Sequence, residues 1–116
     1  MWLKTNIAFF IILATVFRMN TRAQVILNEP VWVGKEQGLP TNDVRSIRKD
    51  SQGFIWLGTA EGLCRFDGME MKVFKPSSYR PAVTADNMVL SVLPVEKRIW
   101  AATNYGVFVL DTETET

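Results

Sequence analysis

The chain has 116 residues, with 13 Lys plus Arg against 12 Asp plus Glu and no histidine. That length accommodates at most one small domain, and a near-neutral balance gives no field that would hold nucleic acid. Without an imidazole there is no Ser-His-Asp or Cys-His nucleophile, no His-ligated zinc or haem and no phosphoacceptor histidine, so neither catalysis nor a cofactor or metal is expected in this chain.

From the N-terminus, Lys4 precedes the apolar run Ile7 to Phe17. Its length fits the core of an export signal, roughly 7–15 residues, and falls short of the ~20 needed to cross ~30 Å of hydrocarbon. Thr21-Arg22-Ala23 offers small residues to a signal peptidase, so residues 1–23 are expected to be a helical signal peptide that delivers the rest to the periplasm. Arg18 and Arg22, between core and cleavage site, keep an uncleaved inner-membrane anchor as the alternative. Membrane contact is expected only through this segment. Removing it takes away Lys4, Arg18 and Arg22 and no acid, which leaves a mildly acidic domain.

Residues 24–41 form a lead-in, in which Val31-Trp32-Val33 is predicted to be the outer strand of a preceding or closing sheet, whose partner strands would come from the far end of an intact protein. A repeat follows. Asn42-Asp43-Val44-Arg45-Ser46-Ile47 recurs as Asn87-Met88-Val89-Leu90-Ser91-Val92, offset by 45 residues. Ile55-Trp56-Leu57-Gly58-Thr59-Ala60-Glu61-Gly62-Leu63 recurs as Ile99-Trp100-Ala101-Ala102-Thr103-Asn104-Tyr105-Gly106-Val107, offset by 44. Such a period matches a propeller blade of four short strands. Val44–Arg48, Phe54–Gly58, Gly62–Phe66 and Met69–Phe74 are rich in β-branched and aromatic residues, and the turn chemistry of Asp50-Ser51-Gln52-Gly53, Ala60-Glu61-Gly62 and Asp67-Gly68 separates them. The predicted fold is therefore all-β: an incomplete β-propeller of about two four-stranded antiparallel blades, with one blade at 42–83 and a partial one at 84–116.

Each repeated residue has a structural task. Trp56 and Trp100 fill the space between blades, with the indole N–H needing one partner. Thr59 and Thr103 bond a neighbouring backbone group. Gly53, Gly62 and Gly106 serve turns, and Asp50 accepts backbone N–H bonds within its own turn. Cys64, the only cysteine, reads as a small buried hydrophobe. In the second copy Val95-Glu96-Lys97-Arg98 stands where the first has Asp50 to Gly53, which predicts a shorter hairpin without glycine. The residues from which a ligand site could be built are Tyr105, in the turn before Gly106, together with Trp56 and Trp100 as stacking platforms.

The string Gly38-Leu39-Pro40-Thr41-Asn42-Asp43-Val44, continuing through Asp50-Ser51-Gln52-Gly53, Trp56-Leu57-Gly58-Thr59 and Gly62-Leu63-Cys64-Arg65-Phe66-Asp67-Gly68, resembles the two-component regulator propeller repeat. The resemblance covers Gly38 to the end, in one full and one incomplete copy. It implies the N-terminal extracytoplasmic sensor part of a hybrid two-component histidine kinase. In an intact member it implies two seven-bladed propellers, an immunoglobulin-like stalk, a membrane helix and a kinase behind it, with oligosaccharides as ligands and a phosphorelay as output. The kinase is absent here, so the chain is expected to be an N-terminal fragment whose unpaired blade edges favour self-association.

Two other classes compete with this one. A secreted carbohydrate-active propeller enzyme would need a close carboxylate pair, and Asp43, Asp50, Glu61, Asp67 and Asp86 all fall at turns. A protein-interaction module would use exposed aromatics, for which Trp32, Tyr79 and Tyr105 are the candidates.

Overall fold

Turns built on aspartate, threonine and glycine divide the chain after Asp43 into short hairpins. The computed structural model describes residues 29–82 and 86–116; the expected signal peptide lies outside them. The chain separates into two compact units, Met1–Trp32 and Val33–Thr116. The second holds β1 (Val44–Lys49), β2 (Ile55–Thr59), β3 (Gly62–Phe66), β4 (Met71–Phe74), a helical turn α1 (Pro76–Tyr79), β5 (Val89–Val95), β6 (Arg98–Thr103) and β7 (Gly106–Asp111). β4 starts two residues later than its apolar run, because Asp67 Oδ1 accepts the N–H groups of Met69 and Glu70 at 2.8 and 2.7 Å and holds both in the turn.

β1 to β4 form one antiparallel meander and β5 to β7 a second. The repeat extends to a defect: the β1–β2 register slips between Val44 and Ser46, and the β5–β6 register slips between Val89 and Ser91. The shortened hairpin of the second copy is present. Val95 pairs Arg98 across Glu96-Lys97, and Glu96, with φ 53°, takes the left-handed conformation that a glycine would otherwise supply. Thr112 braces this loop, donating from both its N–H and its hydroxyl to the Lys97 carbonyl at 2.8 and 2.9 Å.

Strand alternation gives each sheet two distinct faces. In the first sheet Trp56, Leu63 and Phe74 share one face, which packs against Val92, Ile99, Ala101 and Leu110 of the second. The sheets approach closely at Gly58, where an added Cβ would sit 3.0 and 3.1 Å from the side chains of Val89 and Val92. The first sheet's other face carries Leu57 and Cys64 and is covered by Leu39. The lead-in reaches that position through a 3-10 turn, Lys35–Gln37, tied by Gly34 N–H donating to Gln37 Oε1 at 2.7 Å.

The packing is head-to-tail. The second sheet turns towards the first the face equivalent to the one Leu39 covers, and its Trp100 face points away. Val31-Trp32-Val33, expected to be an outer strand completed by a blade from elsewhere in an intact protein, lies in no sheet here. A strand requires a hydrogen-bonded neighbour, and none among the described residues pairs with this segment.

Candidate functional site

The repeated residues divide into a buried structural set and an exposed set. Thr59 Oγ donates to the Gly62 carbonyl at 2.8 Å and accepts from the Glu61 N–H at 3.1 Å. Thr103 does the same with Gly106 and Tyr105, at the same distances. Each threonine thereby closes the turn that a positive-φ glycine completes, at +135° for Gly62 and +112° for Gly106. Asp50 Oδ1 accepts the Gln52 and Phe54 N–H groups, both at 2.9 Å, which closes the turn where Gly53 has φ +93°.

Trp56 has no accessible surface. Its ring stacks on Phe74 with centroids 5.7 Å apart, and the Arg65 guanidinium lies 5.7 Å from the ring centre. A ring closed on both sides offers no platform to a ligand, so Trp56 belongs to the inter-sheet core. Its repeat partner differs: Trp100 is 43% exposed, beside an open depression of about 450 Å³ lined in part by Arg98 and Asp111. Tyr105 is exposed at its turn and borders a hollow of about 80 Å³ with Pro76, Gly106 and Phe108. That volume is below the ~300 Å³ at which pockets enclose a small ligand. The structure does not bring Tyr105, Trp56 and Trp100 together into one pocket. Trp32 is exposed, whereas Tyr79 is engaged: its ring is 5.1 Å from that of Phe108 and its hydroxyl donates to the Glu115 carbonyl at 3.1 Å.

The carboxylates hold turns and ion pairs. Asp43 pairs with Arg45 at 3.1 Å, and Asp86 accepts the Met88 N–H at 3.0 Å. Asp67 and Asp111 occupy equivalent turns and both titrate below the ordinary carboxylate value, chiefly because backbone N–H groups donate to them: from Glu70 and Met69 to Asp67, from Thr114 and Glu113 to Asp111. Among the described residues no group of three or more His, Cys, Asp or Glu is placed to hold a metal. Burial pushes the Cys64 thiol up to about 11.

Sequence reasoning missed a clamp at the rim. Glu115 bridges Arg65, at 3.1 Å, and Lys72, joining the tail after β7 to β3 and β4 of the first sheet. The Lys72 hydrogen bond is the largest of the effects holding its carboxyl below the ordinary value. Only the alternation that puts Arg65 and Lys72 on one face was readable beforehand.

Two antiparallel meanders, stacked face to face with one register defect repeated in each, define successive blades of a β-propeller. Residues 38–61 match the two-component regulator propeller family, and the chain carries that repeat. Among solved structures it is similar to the extracellular domain assigned to the hybrid two-component system BT3049 of B. thetaiotaomicron. The two share 36% identity and a TM-score of 0.63; the match covers 74% of this chain and 12% of that one, so the chain spans about an eighth of the length of its neighbour. No curated protein matches the sequence.

Proposed function

We propose that the chain forms part of the extracytoplasmic, ligand-sensing propeller of a hybrid two-component sensor in the periplasm, with oligosaccharide as the ligand and a phosphorelay as the output. The supporting observation is the agreement in sequence and fold with an extracellular domain of such a system. The exposure of Trp100 and Tyr105 supports a recognition role, and Asp43, Asp50 and Asp67 are committed to turns and an ion pair. In this reading the ligand acts by favouring one arrangement of a larger assembly over another, and no bond is made or broken at the propeller.

The experiment is a deletion in the native host of the segment encoding residues 42–111, followed by transcript profiling on a panel of oligosaccharides. Loss of induction by one oligosaccharide, with growth on simple sugars unchanged, is the expected result. An unaltered response to every member of the panel overturns the proposal.

A further inference from the structure

The two sheets meet most closely through their first strands: β5 lies against β1 and β2, and Val89 and Val92 close on Gly58. Sheets that converge on one side are wedges, and wedges close into a ring about an axis beyond that side. Further blades stack on the two outer faces of the pair. The seam between β1 and β5 therefore looks onto the axis however many blades complete the ring.

The repeated register defect sits on this seam. It leaves one extra residue in each strand, Arg45 between Val44 and Ser46 and Leu90 between Val89 and Ser91. A bulge re-aims a side chain, and both of these are exposed. Asp43 holds Arg45 by accepting from Nε and Nη2 at 3.2 and 3.1 Å, which leaves three of the five guanidinium N–H groups to donate elsewhere. Arg48 and Ser46 lie opposite Trp56 and Gly58, on the face turned to the second sheet. Arg48 spends one N–H on the Ile47 carbonyl, at 2.9 Å. Ser46 Oγ accepts the Val92 N–H across the seam at 3.1 Å, so its own proton stays free to donate. Arg45, Ser46 and Arg48 line an open depression of about 360 Å³ that Leu90 and Ser91 complete from the second sheet. That volume lies within the range of small-ligand sites, which begins at ~300 Å³. None of its lining residues is acidic, and two guanidinium groups against the one carboxylate of Asp43 leave it net positive.

We propose that the β1–β5 seam binds the anionic group, carboxylate or sulfate, of an acidic oligosaccharide, with Arg45 and Arg48 as the donors. The inference rests on the sensing reading and names the class of its ligand. A guanidinium presents its N–H groups as a planar fork that matches two oxygens of such a group, and Asp43 fixes the fork of Arg45 in advance. Ser46 and Ser91 offer hydroxyls to the sugar, and Leu90 offers apolar surface to a ring face. The bulge residue is then the position at which each blade sets its own contribution: a charge in the first, where it is Arg45, and none in the second, where it is Leu90.

The test is calorimetric titration of the full chain with three probes: a galacturonate trimer, a sulfated galactose trimer and the neutral galactose trimer. The expected result is binding of a charged trimer, weakened by added salt, with the neutral trimer at least about tenfold weaker. Which charged trimer binds decides between carboxylate and sulfate. Arg45→Gln and Arg48→Gln, both at exposed positions, should each weaken that binding roughly tenfold, and far-UV circular dichroism checks that the variants fold. Leu90→Arg, which places a second guanidinium at the equivalent bulge, should tighten it. Equal binding of the neutral trimer, binding that neither arginine variant weakens, or no binding of any trimer overturns the proposal. Induction in the host by neutral oligosaccharides alone, lost when residues 42–111 are deleted, keeps the sensing reading and overturns this one. Arginine-dependent binding of a charged trimer with every host response unaltered by that deletion overturns the sensing reading and keeps the site.

Discussion

The Trp56 indole N–H donates to Asp50 Oδ2 at 2.8 Å, and the other oxygen of that carboxylate closes the turn leading into the tryptophan's own strand. One side chain therefore sets a hairpin and positions the largest ring of the inter-sheet core. Asp50→Ala leaves a buried indole N–H and two turn N–H groups without acceptors, at about 1–3 kcal/mol for a buried orphan. The expected outcome is an unfolding free energy lowered by that amount in a urea titration of the full chain. Asp50→Asn, which keeps one carbonyl acceptor, should fall between the alanine variant and the parent.

The two repeated tryptophans should respond unequally. Trp56→Ala empties a fully buried site, at about 3–5 kcal/mol, comparable with the whole stability of a small domain. Trp100→Ala removes a ring that is 43% exposed and should cost less, about 1–2 kcal/mol. Equal losses measured by denaturant titration would mean that the Trp100 face is covered in solution.

Gly62 and Gly106 separate conformational strain from crowding. Both have positive φ, so alanine at either site costs about 1–2 kcal/mol of backbone strain. At Gly62 the new methyl also meets the Phe74 carbonyl, which adds roughly 1–3 kcal/mol of overpacking. The thermal midpoint of Gly62→Ala should therefore lie clearly below that of Gly106→Ala.

Glu115 predicts how the rim responds to acid. Its carboxyl titrates below the ordinary value of 4.5 in the folded chain, first because Lys72 donates to it. A group lowered on folding contributes stability above its unfolded value and loses it as pH falls through the folded one. The parent should lose stability as pH drops below about 4.5, and Glu115→Gln, lacking this group, should show a shallower decline over the same window. Urea midpoints at several pH values read the difference directly. Parallel slopes would mean the bridge to Arg65 and Lys72 does not form in solution.

Local chemistry was legible where it is carried by residues close in sequence. Thr59 with Gly62, Thr103 with Gly106 and Asp50 with its own turn each act over a few positions, so motif spacing located them. The strand runs were equally plain. What sequence could not show depends on which face of one sheet meets which face of the next. Trp56 and Trp100 hold equivalent positions, yet the head-to-tail stacking buries one and leaves the other open. The Glu115 clamp was hidden for a related reason, since it joins residues fifty positions apart across the rim. Val31-Trp32-Val33 has the composition of a strand, but pairing is decided by a neighbour and not by composition.

The glycine at position 58 has a counterpart of a different size. Val89 and Val92 come so near the first sheet because no methyl group stands in their way. At the matching place in the second sheet the residue is Ala102. Any layer set down on the Trp100 side would meet that extra carbon and stand off further than its predecessor. The pitch of such a stack is then written one residue at a time, short at a glycine and longer at an alanine, and a ring that closes must share out the difference around its circumference.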